Sequence, residues 1–143
     1  MTVLRQFGSK AGLLTATEER ERSRVIAMRK APPGDIRAAI RAMYDHYDLT
    51  GDWGVRMQAL EHSRPRLHEM LQHGRAMHRL WVEETFAPQL ARAGGASRDE
   101  LVTALVVACD LLTWKQLRRD LGVSRRKAES IVRRMVSALL GED

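Results

Sequence analysis

Residues 124–141, SRRKAESIVRRMVSALLG, decide the fold class. Ala128, Ile131, Val132, Met135, Val136 and Leu139 recur at three-four spacing, which gathers them on one side of a helix and cannot serve the two-residue period of a strand. Ser124 is of the type that caps a helix start, and Gly141 tolerates the left-handed conformation that closes one. Toward the N-terminus the helical spacing recurs and no window alternates in the manner of a strand. The chain is therefore expected to be all-α, built from about six helices.

The preceding stretch, Leu101 to Trp114, is the most apolar of the chain, with only Thr103, Asp110 and Thr113 polar. It reads as a single helix opened by a capping box at Ser97-Arg98-Asp99-Glu100, after a break at Ala93-Gly94-Gly95-Ala96. A helix that is hydrophobic all round needs a large core or a partner, and in 143 residues the partner is the expected solution. The last two helices are thus expected to pair with their copies across a twofold axis in a homodimeric four-helix bundle. Leu112, Ala128, Ile131, Val132, Met135 and Leu139 are the expected interface.

Further back, Ser63 and Pro65 start a helix that is expected to run to about Arg92. Its apolar face is Leu67, Met70, Leu71, Met77, Leu80, Trp81 and Phe86, with Gly74 as a site of close approach and Pro88 as a kink. Asp35 caps a helix striped by Ile36, Ala39, Ile40, Met43 and Tyr47, which Thr50-Gly51-Asp52 is expected to end before a short helix over 53–61. A charged helix over 10–30 is stopped by Ala31-Pro32-Pro33-Gly34.

A hydrophobic content of 44% suits one globular domain, and the formal charge of +6 permits an anionic partner without identifying one. The single cysteine, Cys109, cannot form an intrachain disulfide and lies in an apolar run, as a buried core residue would. With no signal-peptide stretch and no membrane-length apolar window, a cytoplasmic location without membrane contact is expected.

Little in the sequence supports catalysis or a cofactor. His68, His73 and His78 are spaced by fives, which spreads them around a helix, and neither they nor His46 and His62 form a metal-binding pattern. No nucleophile-base arrangement or phosphate loop can be assembled, so the chain is not expected to be an enzyme. The better candidate is a ligand pocket lined by Tyr44, Tyr47, Met57, Met77, Trp81, Asp110 and Trp114, since methionines and aromatics make an adaptable apolar wall for a small apolar or amphipathic effector. Asp110, a carboxylate in an apolar run, must find a hydrogen-bond partner such as Thr113 or Trp114, or meet a ligand.

Residues 114–133 also read as a helix-turn-helix around Gly122, with Arg125, Arg126 and Lys127 at the start of its second helix. Arg118, four positions before the turn glycine, stands where crossing helices need a small residue. An ordinary helix corner with a solvated basic face is the preferred reading.

The N-terminal MTVLRQFGSKAGLL places Gly8 and Ser9 between two helical stretches. Its pattern Thr-Val-hydrophobic-x-x-Phe-x-Ser-Lys-x-x-Leu-Leu is similar to the junction of the recognition helix and the fourth helix in bacterial repressors of the TetR family, although Leu4 departs from the tyrosine common there. The succession APPGDIRAAIRAM, EH-x-RP-x-L, WVE-x-x-FAPQL and TWK-x-LRRDLG-x-SR resembles members of the same family across residues 2 to 135. The resemblance implies a C-terminal effector-binding and dimerisation domain over 10–143, after a remnant of a recognition helix over 1–9. In that remnant Thr2, Leu4 and Gln6 match groove-facing positions and Lys10 matches a phosphate-contacting one. It further implies a transcriptional regulator whose effector is sensed through the helix over 10–30. Because a recognition helix needs the helices before it, DNA binding is expected to be impaired or absent without them. The alternative from another class is a stand-alone helical dimer that sequesters a small ligand or contacts other proteins.

Overall fold

The computed structural model describes Arg5 and residues 8–142, apart from the side chain of Ala11. Thr2, Leu4 and Gln6 of the expected remnant lie outside the described residues. The described residues form helices and turns without a strand. In chain order these are α1 (Lys10–Met28), α2 (Ile36–Ala59), α3 (Pro65–Thr85), the single turn α4 (Ala87–Leu90), α5 (Gly95–Ala108), α6 (Leu111–Lys115) and α7 (Arg125–Leu140). A 3-10 turn over Glu61–Ser63 joins α2 to α3, and α6 runs on into a π turn over Gln116–Asp120.

α1 follows its sequence. Ser9 accepts from the Gly12 amide at 3.0 Å, and the helix ends at Arg29 just before the two prolines. No residue of α1 whose burial is described is fully buried, and Leu14 and Ile26 are exposed, while Val25, Met28 and the C-terminal cap Arg29 face the body. Lys10, the remaining DNA-remnant position, is its exposed first residue.

α2 is the central helix, and here the expected break is absent. Asp35 caps it through Oδ1, which accepts from the Ala38 amide at 2.9 Å, and Ile36, Ala39, Ile40, Met43, Tyr44 and Tyr47 are buried. Instead of ending at Thr50-Gly51-Asp52, the helix continues to Ala59. The glycine serves packing: a Cβ built on Gly51 would lie 2.6 Å from Cη2 of the Trp114 ring. The helix tolerates a glycine, at a cost of about 1 kcal/mol, because the indole of Trp114 is buried in the gap.

α3 begins with Pro65 in its first turn and ends at Phe86, not near Arg92, because Pro88 has no amide to continue the ladder. Gly74 faces open space and is no close approach. Of the expected α3 face, Phe86 is fully buried, whereas Met70 and Leu80 are exposed.

α5 starts at Gly95 with Gly94 as its cap, so Ser97 lies within the helix and does not cap it. The long helix expected over Leu101–Trp114 is two helices. The chain breaks at Cys109, and Asp110 restarts it as the cap of α6, its Oδ2 accepting from the Leu112 amide at 2.8 Å. This break lets Val102, Leu105, Ala108 and Cys109 enter the core while the redirected α6 carries Trp114 into it.

α7 starts at Ser124 and closes on a left-handed Gly141, as its sequence requires. Its apolar stripe divides into two adjacent ridges. Ala128, Val132 and Val136 point into the protein's own core, so Ala128 and Val132 are packing residues and not surface available to a second copy. Met135 and Leu139 are exposed and Ile131 is half-buried.

Candidate functional site

The first residue past α1 is unusual for where its charge ends up. Arg29 is only 7% exposed and closes the helix with its amide on the Val25 carbonyl. The helix does not continue past it, and its side chain packs against α2 and α3. Its guanidinium carbon stands 4.1 Å from the centroid of the Trp81 ring and 5.4 Å from that of Tyr47. The Arg29 carbonyl in turn accepts from the Trp81 indole at 2.9 Å.

The second partner is His78, one helical turn before Trp81 on α3 and stacked on it. Arg29 Nη2 lies 3.0 Å from His78 Nδ1, and His78 Nε2 lies 3.0 Å from the Val106 carbonyl on α5. A guanidinium has no acceptor and a carbonyl no donor, which assigns the tautomer: Nδ1 accepts and Nε2 carries the proton. The imidazole is neutral. Burial first, and the Arg29 charge second, lower its pKa to about 4.

Tyr47 and His46 complete the group from α2. The Tyr47 hydroxyl donates to the Cys109 carbonyl at 3.0 Å, and the His46 ring packs on Tyr47. Burial, then Arg29 and His78, also lower the pKa of His46 to about 4. One arginine thus ties the end of α1 to α2, α3 and α5 through aromatic faces and hydrogen bonds.

Among the described residues no carboxylate lies within ion-pairing distance of Arg29. Cation–π contacts return roughly 0.5–2 kcal/mol each, whereas taking an ion out of water costs several kcal/mol. Arg29 is therefore a buried charge with unspent attraction for an anion. Two polar atoms here also have no hydrogen-bond partner, Arg29 Nε and His46 Nδ1. His46 lines a concavity of about 230 Å³ between α1 and α2, together with Glu21, Arg24, Val25, Met28, Leu49 and Thr50.

The sequence-derived pocket residues are placed differently. Tyr44, Tyr47 and Trp114 are buried core, Met57, Met77, Trp81 and Asp110 are half-buried, and none of the seven lines the α1–α2 concavity. Trp81 and Tyr47 belong to the Arg29 cluster. Trp114 donates its indole proton to Asp48 at 2.9 Å, and Asp110 bonds the Leu112 amide, not the Thr113 or Trp114 side chain. Arg29 and His46 were not singled out as pocket residues by sequence, and no local signal marks either of them.

The basic corner at 114–133 is also accounted for. Arg118 donates to the Val123 carbonyl at 2.8 Å, bracing the turn at Gly122, and Arg125 is held by Asp45, Asp48 and Glu129. Arg126 and Lys127 remain exposed. Cys109 is buried, and that burial pushes its thiol up to about 12, so it behaves as core. His68 pairs with Glu61 at 3.0 Å, while His62 and His73 are exposed. Among the described residues no three His, Cys, Asp or Glu side chains are grouped to hold a metal ion, and no helix is long and apolar enough to cross a membrane. Comparison of the chain with family models, curated proteins and solved structures finds no match to any of them.

Proposed function

We propose that this chain is the ligand-sensing and dimerisation part of a TetR-like transcriptional regulator. The observation that carries the reading is the attachment of α1: a helix of 19 residues whose described side chains stay largely in solvent and whose end is fastened by one buried arginine. A ligand that changes the packing around Arg29 would change the angle of α1, and whatever the N-terminal end of α1 carries would move with it. A small effector shifts α1 between two positions by as much as its affinity for them differs.

Homodimerisation is part of the proposal. Val107 on α5, Leu112 on α6 and Met135 and Leu139 on α7 are exposed apolar residues, and Ile131, Arg134, Met135 and Ala138 line a surface groove of about 420 Å³. Covering such a surface is favourable in proportion to its apolar area. Light scattering on the full chain at micromolar concentration is expected to give twice the 16.2 kDa of one copy.

The sensing half is tested by a thermal-shift screen of small organic molecules followed by hydrogen exchange across residues 10–28. Hits are expected to slow exchange in the last turns of α1. Hits that leave 10–28 unchanged would overturn the sensing reading, and a monomer in light scattering would overturn the dimer.

A further inference from the structure

We infer that the concavity between α1 and α2 is a binding site for a small organic monoanion, an apolar body bearing one carboxylate, with His46 donating to the acid group and Arg29 supplying the charge. This rests on the ligand-sensing proposal and specifies the chemical class of its ligand. The body of the ligand is set by the walls: Val25 and Met28 from α1 and Leu49 from α2 offer aliphatic surface, and about 230 Å³ suits a compact molecule.

The acid group is set by His46, which belongs to the lining. Its Nδ1 is closed to solvent and has no partner; a turn of the ring about its Cβ–Cγ bond would present it to the concavity, where a neutral imidazole with its proton on Nδ1 donates to a carboxylate oxygen. Arg29 is not part of the lining, but its charge acts on the His46 ring, and its own Nε is buried without a partner. The acidic groups nearby do not cancel that charge. Glu21 lies in the lining and pairs with Arg24 at 3.8 Å, which balances that pair, and Asp110 keeps its charge but acts on His78 less than Arg29 does and is not among the influences on His46. A carboxylate is favoured over a neutral hydroxyl because charge-assisted hydrogen bonds are about twice as strong as neutral ones. An ammonium group would face a buried cation without a counter-charge and is disfavoured.

A bound carboxylate would bridge the two helices, since Val25, Met28 and Arg29 belong to α1 and its cap while His46 and Leu49 belong to α2. It would neutralise the charge that fastens α1 and hold the last turn of α1 against α2.

The test uses the full chain and three matched probes, cyclohexanecarboxylate, cyclohexylmethanol and cyclohexylmethylammonium, titrated by calorimetry at pH 7.5. The carboxylate is expected to bind at least ten-fold more tightly than the alcohol and the ammonium probe least. His46→Phe keeps a ring against Tyr47 but removes Nδ1, and is expected to weaken the carboxylate at least ten-fold and to abolish most of its advantage over the alcohol. Arg29→Lys keeps a positive charge should other replacements there fail to fold, and is expected to retain preference for the carboxylate. Equal binding of carboxylate and alcohol, preference for the ammonium, no carboxylate binding at millimolar concentration, or a carboxylate affinity unaffected by His46→Phe would each overturn the site. If molecules from the wider screen still bind and protect residues 10–28, the anion site alone has failed; if none does, the sensing proposal fails with it.

Discussion

Acidification should loosen this fold in a window set by its buried histidines. His78 is held neutral in the folded state, with its pKa lowered to about 4 from 6.5. The unfolded chain therefore binds more protons than the folded one between those values, and stability must fall as pH falls through 6.5 toward 4. On the linkage relation, His78 alone contributes a loss of about 2 kcal/mol between pH 8 and pH 5, rising to roughly 3 kcal/mol below pH 4. His46 is lowered to a similar value and faces the same arginine, so a wild-type loss of about 2–4 kcal/mol is expected by pH 5.

Urea denaturation followed by far-ultraviolet circular dichroism at pH 8 and pH 5, at one fixed protein concentration, measures this loss. The carboxylates interfere little in that range. Glu61, lowered to about 2 chiefly by its hydrogen bonds to Arg75, loses its contribution only as pH falls below its unfolded value of 4.5. His78→Gln supplies an amide that can accept from Arg29 and donate to the Val106 carbonyl but does not titrate. It is expected to cost about 1 kcal/mol at pH 8 and to remove about half of the pH dependence. A wild-type stability that changes by less than about 0.5 kcal/mol between the two pH values, or a His78→Gln protein with the full wild-type dependence, would refute the reasoning.

Three further outcomes are expected. Gly51→Ala puts a methyl group into the Trp114 ring and should cost about 1–3 kcal/mol in urea denaturation, more than Gly74→Ala, where nothing lies within 4 Å. Asp110→Ala removes the cap of α6 and should cost about 1 kcal/mol, most of it restored by Asp110→Asn; a stability unchanged by either substitution would show that the cap contributes nothing. Met135→Glu combined with Leu139→Glu should shift light scattering from dimer to monomer while preserving the helical spectrum, because both side chains are exposed on one copy.

Where the sequence was legible, a local signal and the packing agreed. Asp35, Ser124, Gly141 and the proline pair act within one or two turns of themselves, and each element end they announce is observed. The failures occurred where a distant residue reversed the local preference. Gly51 reads as a stop, but Trp114, far along the chain, fills the space and keeps α2 continuous. Asp110 reads as one polar residue inside an apolar helix, yet its carboxylate costs less as the cap of a new helix than buried along an old one. The same effect divides α7, whose stripe is broad enough for two ridges; spacing alone cannot say which ridge belongs to the chain's own core.

The Arg29 cluster was illegible for a stronger reason. An arginine near a helix end in a charged segment is ordinarily solvated, and nothing in its neighbours announces burial. Burial here depends on three helices meeting: Trp81 and His78 from α3, Tyr47 from α2 and the Val106 carbonyl from α5. Each of those contacts supplies an aromatic face or a neutral acceptor, and none supplies negative charge. Replacing the arginine by a hydrophobic side chain of similar size would spare the desolvation cost, so packing alone gives no reason for a cation at this place. A reason exists if the charge is used, and the adjoining concavity, lined by His46 whose Nδ1 has no partner, is where an anion would use it.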